Sequence, residues 1–168
     1  MLSIALLGDA SANSGSDGGG KTATVENIAD EGLSGVDLGY WAWEADRAGE
    51  HHPFYNTTLT DKGWIQVTSA LMPTASSLGA RAAGGLGALW LSLLAVPVGA
   101  LAAAALARQL GAPSGRLAFW MIGAASPLTF YGTDQWEHGP ALAVSLWTVV
   151  LIRTHPLGRK ALATGALF

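Results

Sequence analysis

Residues 84–107 contain no charged side chain. As a helix rising about 1.5 Å per residue, this run reaches ~36 Å, enough to cross a ~30 Å hydrocarbon layer with tilt. Its apolar residues fall on every side of such a helix, which excludes a surface amphipathic helix. Pro97 and the internal glycines are tolerated in membrane helices, where neighbours satisfy the freed backbone groups. Two shorter apolar stretches follow, over residues 117–133 and, with Trp136, Glu137 and His138 included, 136–153. The competing reading is a buried helical hairpin in a soluble protein. Against it stands composition: half of the 168 residues are apolar and only 12% are charged, leaving little polar surface to cover such a hairpin.

Charge placement orients the spans. Arg108 and Arg116 flank one connection, and Arg153, Arg159 and Lys160 flank another, while the connection between them carries Asp134 and Glu137. Basic connections face the cytoplasm, so residues 132–138 and the acidic segment 9–83 are expected outside. Trp90, Trp120, Trp136 and Tyr131 fall near the inferred span ends, whereas Trp147 is deeper. Residues 1–8 are too short for a signal-peptide core and lack a preceding base; they read as the remnant of a first helix. Residues from 161 read as the start of another, so the chain reads as a fragment at both ends. The expected fold is all-α: about three transmembrane helices in a multi-pass plasma-membrane protein, with a long extracytoplasmic first loop containing short juxtamembrane helices. A net charge of −3 argues against nucleic acid as a partner. The absence of cysteine excludes disulfides and thiolate metal sites.

The outer segment carries the residues with chemical potential. Val25, Ile28 and Ala29 share one helical face and Gly32 marks a stop, predicting a short helix. Gly15 to Thr22 spells the phosphate-loop pattern, but the only strand candidate, residues 2–7, does not feed into the glycines. A flexible glycine turn presenting Asp17 beside Lys21 explains the same letters. Asp17 then reads in three ways: a base that takes a proton from a hydroxyl, a ligand for a divalent cation, or a solvated loop carboxylate. Asp46, Glu50, His51 and His52 are compatible with a metal but match no ligand spacing, and a polar surface turn accounts for them equally. Trp136, Glu137 and His138 stand at a span end, where ionisable groups are costly unless they face a polar cavity. The alternative is an interfacial cap with Glu137 paired to His138.

Taken together, Ser16-Asp17-Gly-Gly-Gly-Lys21, Gly39-Tyr-Trp-Ala42, His52-Pro53-Phe54, Trp64-Ile-Gln-Val-Thr-Ser69, Ala125-Ser-Pro-Leu-Thr-Phe-Tyr131 and Trp136-Glu-His138 resemble the early part of GT-C-type membrane glycosyltransferases. The nearest in pattern are bacterial relatives of protein O-mannosyltransferases and lipid-A aminoarabinose transferases, over residues 16–152. The resemblance implies transfer of a sugar from a polyprenyl-phosphate donor to an acceptor on the outer membrane face. It further implies that Asp17 is the catalytic acid or base, that Lys21, Glu137 and His138 lie near the donor phosphate, and that Asp17, Glu137 and His138 are positions for a divalent metal such as Mg or Mn. Two other classes remain open. A transporter or channel subunit would use Asp134 and Glu137 on an ion path, and a phosphate-loop NTPase would lose nucleotide binding in Lys21→Ala.

Overall fold

The structure, a computed structural model, describes residues 16–54 and 56–154. The suggested remnant helix at residues 1–8 and the suggested helix start at 161 lie outside the described residues. The elements, in order, are α1 (Ser16–Glu31), a 3-10 turn (Gly32–Val36), β1 (Thr57–Thr60), β2 (Gly63–Gln66), α2 (Leu71–Ala88), α3 (Trp90–Gln109), α4 (Arg116–Ala124), α5 (Pro127–Tyr131) and α6 (His138–Thr154). They fall into two compact units. Described residues up to Leu91, together with Thr133–Trp136, form the first; Ser92–Gly132 and the residues from Glu137 on form the second.

In the first unit, α1 buries Lys21, Thr24, Val25 and Ile28, a spacing of three and four that defines one helical face. That face packs on α2, and Arg81 of α2 donates from Nε to the Ala29 carbonyl (2.9 Å) and from a terminal nitrogen to the Ile28 carbonyl (3.0 Å). These are carbonyls of the last helical turns, where a cation also complements the helix dipole. Gly32, at φ +74°, then turns the chain out of the helix, as its position predicts.

The antiparallel hairpin pairs Thr57 with Gln66 and Thr60 with Gly63. Asp37 secures it: Oδ1 accepts the Trp64 N–H and the Gly39 N–H, each at 2.9 Å, while Leu38 N–H donates to the Trp64 carbonyl at 2.8 Å. Further on, α2 kinks at Ala83 and Gly84, the latter at φ 59° and ψ −145°. The kink folds Gly87 back onto Gly79 so closely that a Cβ on either would strike the other's carbonyl.

In the second unit, α3 and α6 run parallel, with α4 and α5 forming the return between them. Their interface uses small residues. A Cβ on Gly99 would lie 3.0 Å from Leu128 and 3.7 Å from Ala143, and one on Gly139 would lie 3.5 Å from Ala95. Small residues one helical turn apart let backbones approach in this way. Trp147 donates from Nε1 to the carbonyl of Val98 (3.0 Å), the residue after Pro97 in α3.

The expected multi-pass fold is corrected. Among the described residues, only Trp90–Gln109, at 20 residues, is long and apolar enough to cross a membrane. The predicted span over 117–133 breaks because Pro127 disfavours helical geometry at Ser126. Ser126 is extended (φ −125°, ψ 164°) and its hydroxyl caps α5, which is only five residues long. The predicted span over 136–153 becomes α6, whose 17 residues extend about 26 Å, short of a typical hydrocarbon layer. The expected all-α class also gains a two-stranded sheet. The span predicted at 84–107 is displaced to Trp90–Gln109, because residues 85–88 complete α2 after its kink.

Gly115, before α4, is buried with the Ala104 carbonyl only 2.4 Å from where a Cβ would sit. Because that neighbour is backbone, Gly115→Ala is expected to cost about 1–3 kcal/mol. Thermal unfolding of the variant in detergent, followed by circular dichroism, measures this directly.

Candidate functional site

The candidate site is built at the start of α1. The helix begins at Ser16, so Asp17 sits in the first turn, where an acid complements the helix dipole. Gly18, Gly19 and Gly20 are helical and buried instead of forming a flexible turn. Three glycines weaken a helix by roughly 1 kcal/mol each relative to alanine, but their bareness admits the hairpin. A Cβ on Gly20 would fall 2.1 Å from Gln66 Oε1.

Three elements converge on the Asp17 carboxylate. Lys21, one turn later, donates from Nζ to Oδ2 at 2.9 Å. Gln66, on β2, donates from Nε2 to Oδ1 at 3.3 Å, and Asn56, just before β1, donates to the same oxygen at 3.5 Å. The Asp17 side chain keeps 27% of its exposure, whereas that of Lys21 keeps 3%. An ammonium removed from water needs its counter-charge close by. Lys21, buried on the inward face of α1, meets that need with the Asp17 carboxylate. The phosphate-loop pattern takes a different shape here, since residues 16–20 are the first turn of α1 and not a loop.

Sequence reading missed Asn56 and Gln66. The available signal was Thr57 to Gln66 itself: two short β-prone runs around Asp61, Lys62 and Gly63 spell a hairpin. Gln66 is 8% exposed and its Oε1 has no hydrogen-bond partner among the described residues. Its carbonyl end faces the helix while its amide end serves Asp17.

Asp46, Glu50, His51 and His52 form a hydrogen-bonded loop. Asp46 accepts the Tyr40 hydroxyl (2.8 Å), the His51 N–H (2.8 Å) and the Glu50 N–H (3.2 Å). The His51 N–H and the Tyr40 hydroxyl hold its pKa down at about 2, despite opposing desolvation. Burial pushes the Tyr40 phenol up, and the adjacent Asp46 adds to the shift. His52 stacks on Trp64 with ring centroids 4.8 Å apart and lies 4.9 Å from Tyr40. Its Nδ1 accepts the Phe54 N–H, which leaves Nε2 as the donor to the Gly39 carbonyl at 3.1 Å. Glu50, His51, His52, Phe54 and Trp64 line a cavity of about 710 Å³.

Asp17 and Lys21 belong to the first unit, and Glu137 and His138 to the second. His138 is exposed at the start of α6, its ring 5.3 Å from that of Tyr131. Glu137 is half-buried and its carbonyl accepts the Ala141 N–H. Asp134 accepts the Gln135 N–H at 2.7 Å, and Gln135, 1% exposed, donates to the Ala88 carbonyl at 2.6 Å. Among the described residues, no three His, Asp or Glu side chains gather as a metal site. The ammonium 2.9 Å from Asp17 also repels a cation. The donor set on the page does not fit the divalent metal that the resemblance implies.

The depressed pKa of Asp46 sets a pH window. Its folded value, about 2, lies below the unfolded value of 3.8. Its contribution is complete above the unfolded value and is lost as pH falls towards the folded one. Fluorescence of Trp43 and Trp64 between pH 5 and about 2 is expected to report loosening of the loop. In Asp46→Asn that acid transition should be strongly reduced.

No family model, curated protein or solved structure matches the chain.

Proposed function

We propose that this chain is part of a membrane-attached glycosyltransferase, taking a sugar from a polyprenyl-phosphate donor and passing it to an acceptor outside the membrane. The observation that carries this reading is the Asp17 carboxylate, fixed by Lys21, Asn56 and Gln66 yet still open to solvent. A general base has to be held in one orientation while remaining accessible to the proton it takes. The motif resemblance supplies the reaction class.

In the proposed reaction each of these side chains has a role. Asp17 takes the proton of the acceptor hydroxyl as its oxygen attacks the anomeric carbon. The bond from that carbon to the donor phosphate breaks, and its electron pair leaves on the polyprenyl phosphate. Lys21 holds one carboxylate oxygen in place before the reaction; Asn56 and Gln66 hold the other. No step here is routed through a metal.

Attachment to the membrane rests on α3. Only 39% of its most apolar 18-residue window is buried, and Leu94, Val98 and Leu101 are exposed, unlike the core helix of a soluble protein. The extracytoplasmic placement of Asp17 follows from the basic connection at Arg108 and Arg116, which the positive-inside rule assigns to the cytoplasm.

Asp17→Asn keeps the side chain's shape and an oxygen for Lys21 while removing its basicity. Transfer from a polyprenyl-phosphate sugar, assayed in membranes and normalised to folded protein, is expected to fall at least about 100-fold. Near-normal transfer by a well-expressed variant would overturn the assignment.

A further inference from the structure

The connection between α3 and α4 carries a second site, independent of the glycosyltransferase reading. The close seating of Gly115 on the Ala104 carbonyl draws the start of α4 against the C-terminal half of α3. Arg108, in that last turn, and Arg116, the first residue of α4, consequently line one cavity of about 700 Å³ with Ser114, Phe119 and Trp120.

No acid lines this cavity. Neither arginine has an ion-pair partner among the described residues. The sequence explains why, since no Asp or Glu occurs between Asp61 and Asp134. Two guanidiniums that share a cavity repel one another until an anion joins them, and their planar donor forks match phosphate oxygens. Trp120, which lines the cavity, is 64% exposed, and Leu110, Leu117 and Met121 on the flanking segments are exposed by 66%, 72% and 56%. A soluble anion gains nothing from such apolar neighbours. A ligand with a phosphate head and hydrocarbon tails matches both halves, and Trp120 belongs where headgroups meet tails.

We propose that this cavity holds the phosphate headgroup of an anionic phospholipid, with Arg108 and Arg116 as the charged contacts and the Leu117, Trp120 and Met121 surface against its acyl chains. The site lies on the side that the positive-inside rule assigns to the cytoplasm, whose leaflet is rich in anionic lipid.

The test uses the full chain in nanodiscs containing equal parts of phosphatidylcholine and phosphatidylglycerol, with retained lipid identified by native mass spectrometry. Wild-type protein should retain phosphatidylglycerol preferentially. At about 1 kcal/mol per basic residue near an anionic surface, either Arg108→Gln or Arg116→Gln should reduce that preference about fivefold, and the double variant about 25-fold. Arg153→Gln, which removes a base outside the cavity, should retain lipid as wild type does. Equal retention by the double variant, an equal loss in Arg153→Gln, or no preference in wild type would each overturn the proposal. So would displacement of the lipid by inorganic phosphate but not by chloride of equal ionic strength, which would identify a soluble anion as the occupant.

Discussion

A buried ammonium sets the terms for the first unit. Lys21 lies on the inward face of α1, and the carboxylate nearest to it is that of Asp17, one turn earlier. A helical backbone over residues 17–21 brings the pair together one turn apart, and it places Gly18, Gly19 and Gly20 inside the helix. Those glycines would weaken an isolated helix. Here they open a channel against β2 wide enough for Gln66, whose amide completes the carboxylate's coordination by hydrogen bonds. Ion pair, glycine run and hairpin are thus one solution to the problem of hiding a charge.

The same arrangement explains what the sequence could and could not disclose. Gly32 as a helix stop and one long apolar helix were legible, because each depends on neighbours within a few residues. The buried face of α1 was legible through Val25 and Ile28. Asn56 and Gln66 were not, since their partner lies 39 and 49 residues away. The glycine run was misread as flexible because its true reason is the hairpin side chain that packs on it. Pro127 lies inside the span predicted over 117–133, where its effect on Ser126 divides the stretch into two short helices. The resemblance places Lys21 near a donor phosphate; its ion pair with Asp17, set by burial on the inward face of α1, was not legible.

The second unit follows a different logic, with backbone proximity in place of charge. Ala95, Gly99, Gly139 and Ala143 remove side-chain bulk where α3 and α6 meet, so Leu128 can seal the junction at 2% exposure. Its remaining side chains are turned outward in numbers that water would penalise. The chemistry assigned to Asp17 and the headgroup site at Arg108 therefore draw on separate parts of the chain: one is organised by polar side chains on a hairpin and helix, the other by a tight backbone connection.

Gln135 has a consequence for how the protein is made. It is buried in the first unit, where it occupies the Ala88 carbonyl across a sequence separation of 47 residues. At roughly 5–20 residues per second, a ribosome takes about 2–9 s to cover that distance. During this interval α1, the hairpin and α2 have already emerged, but the carbonyl left by the end of α2 has no side chain to receive. The first unit thus includes a segment synthesised after the long apolar helix, and the Ala88 carbonyl gains its side-chain donor only once that helix has been made.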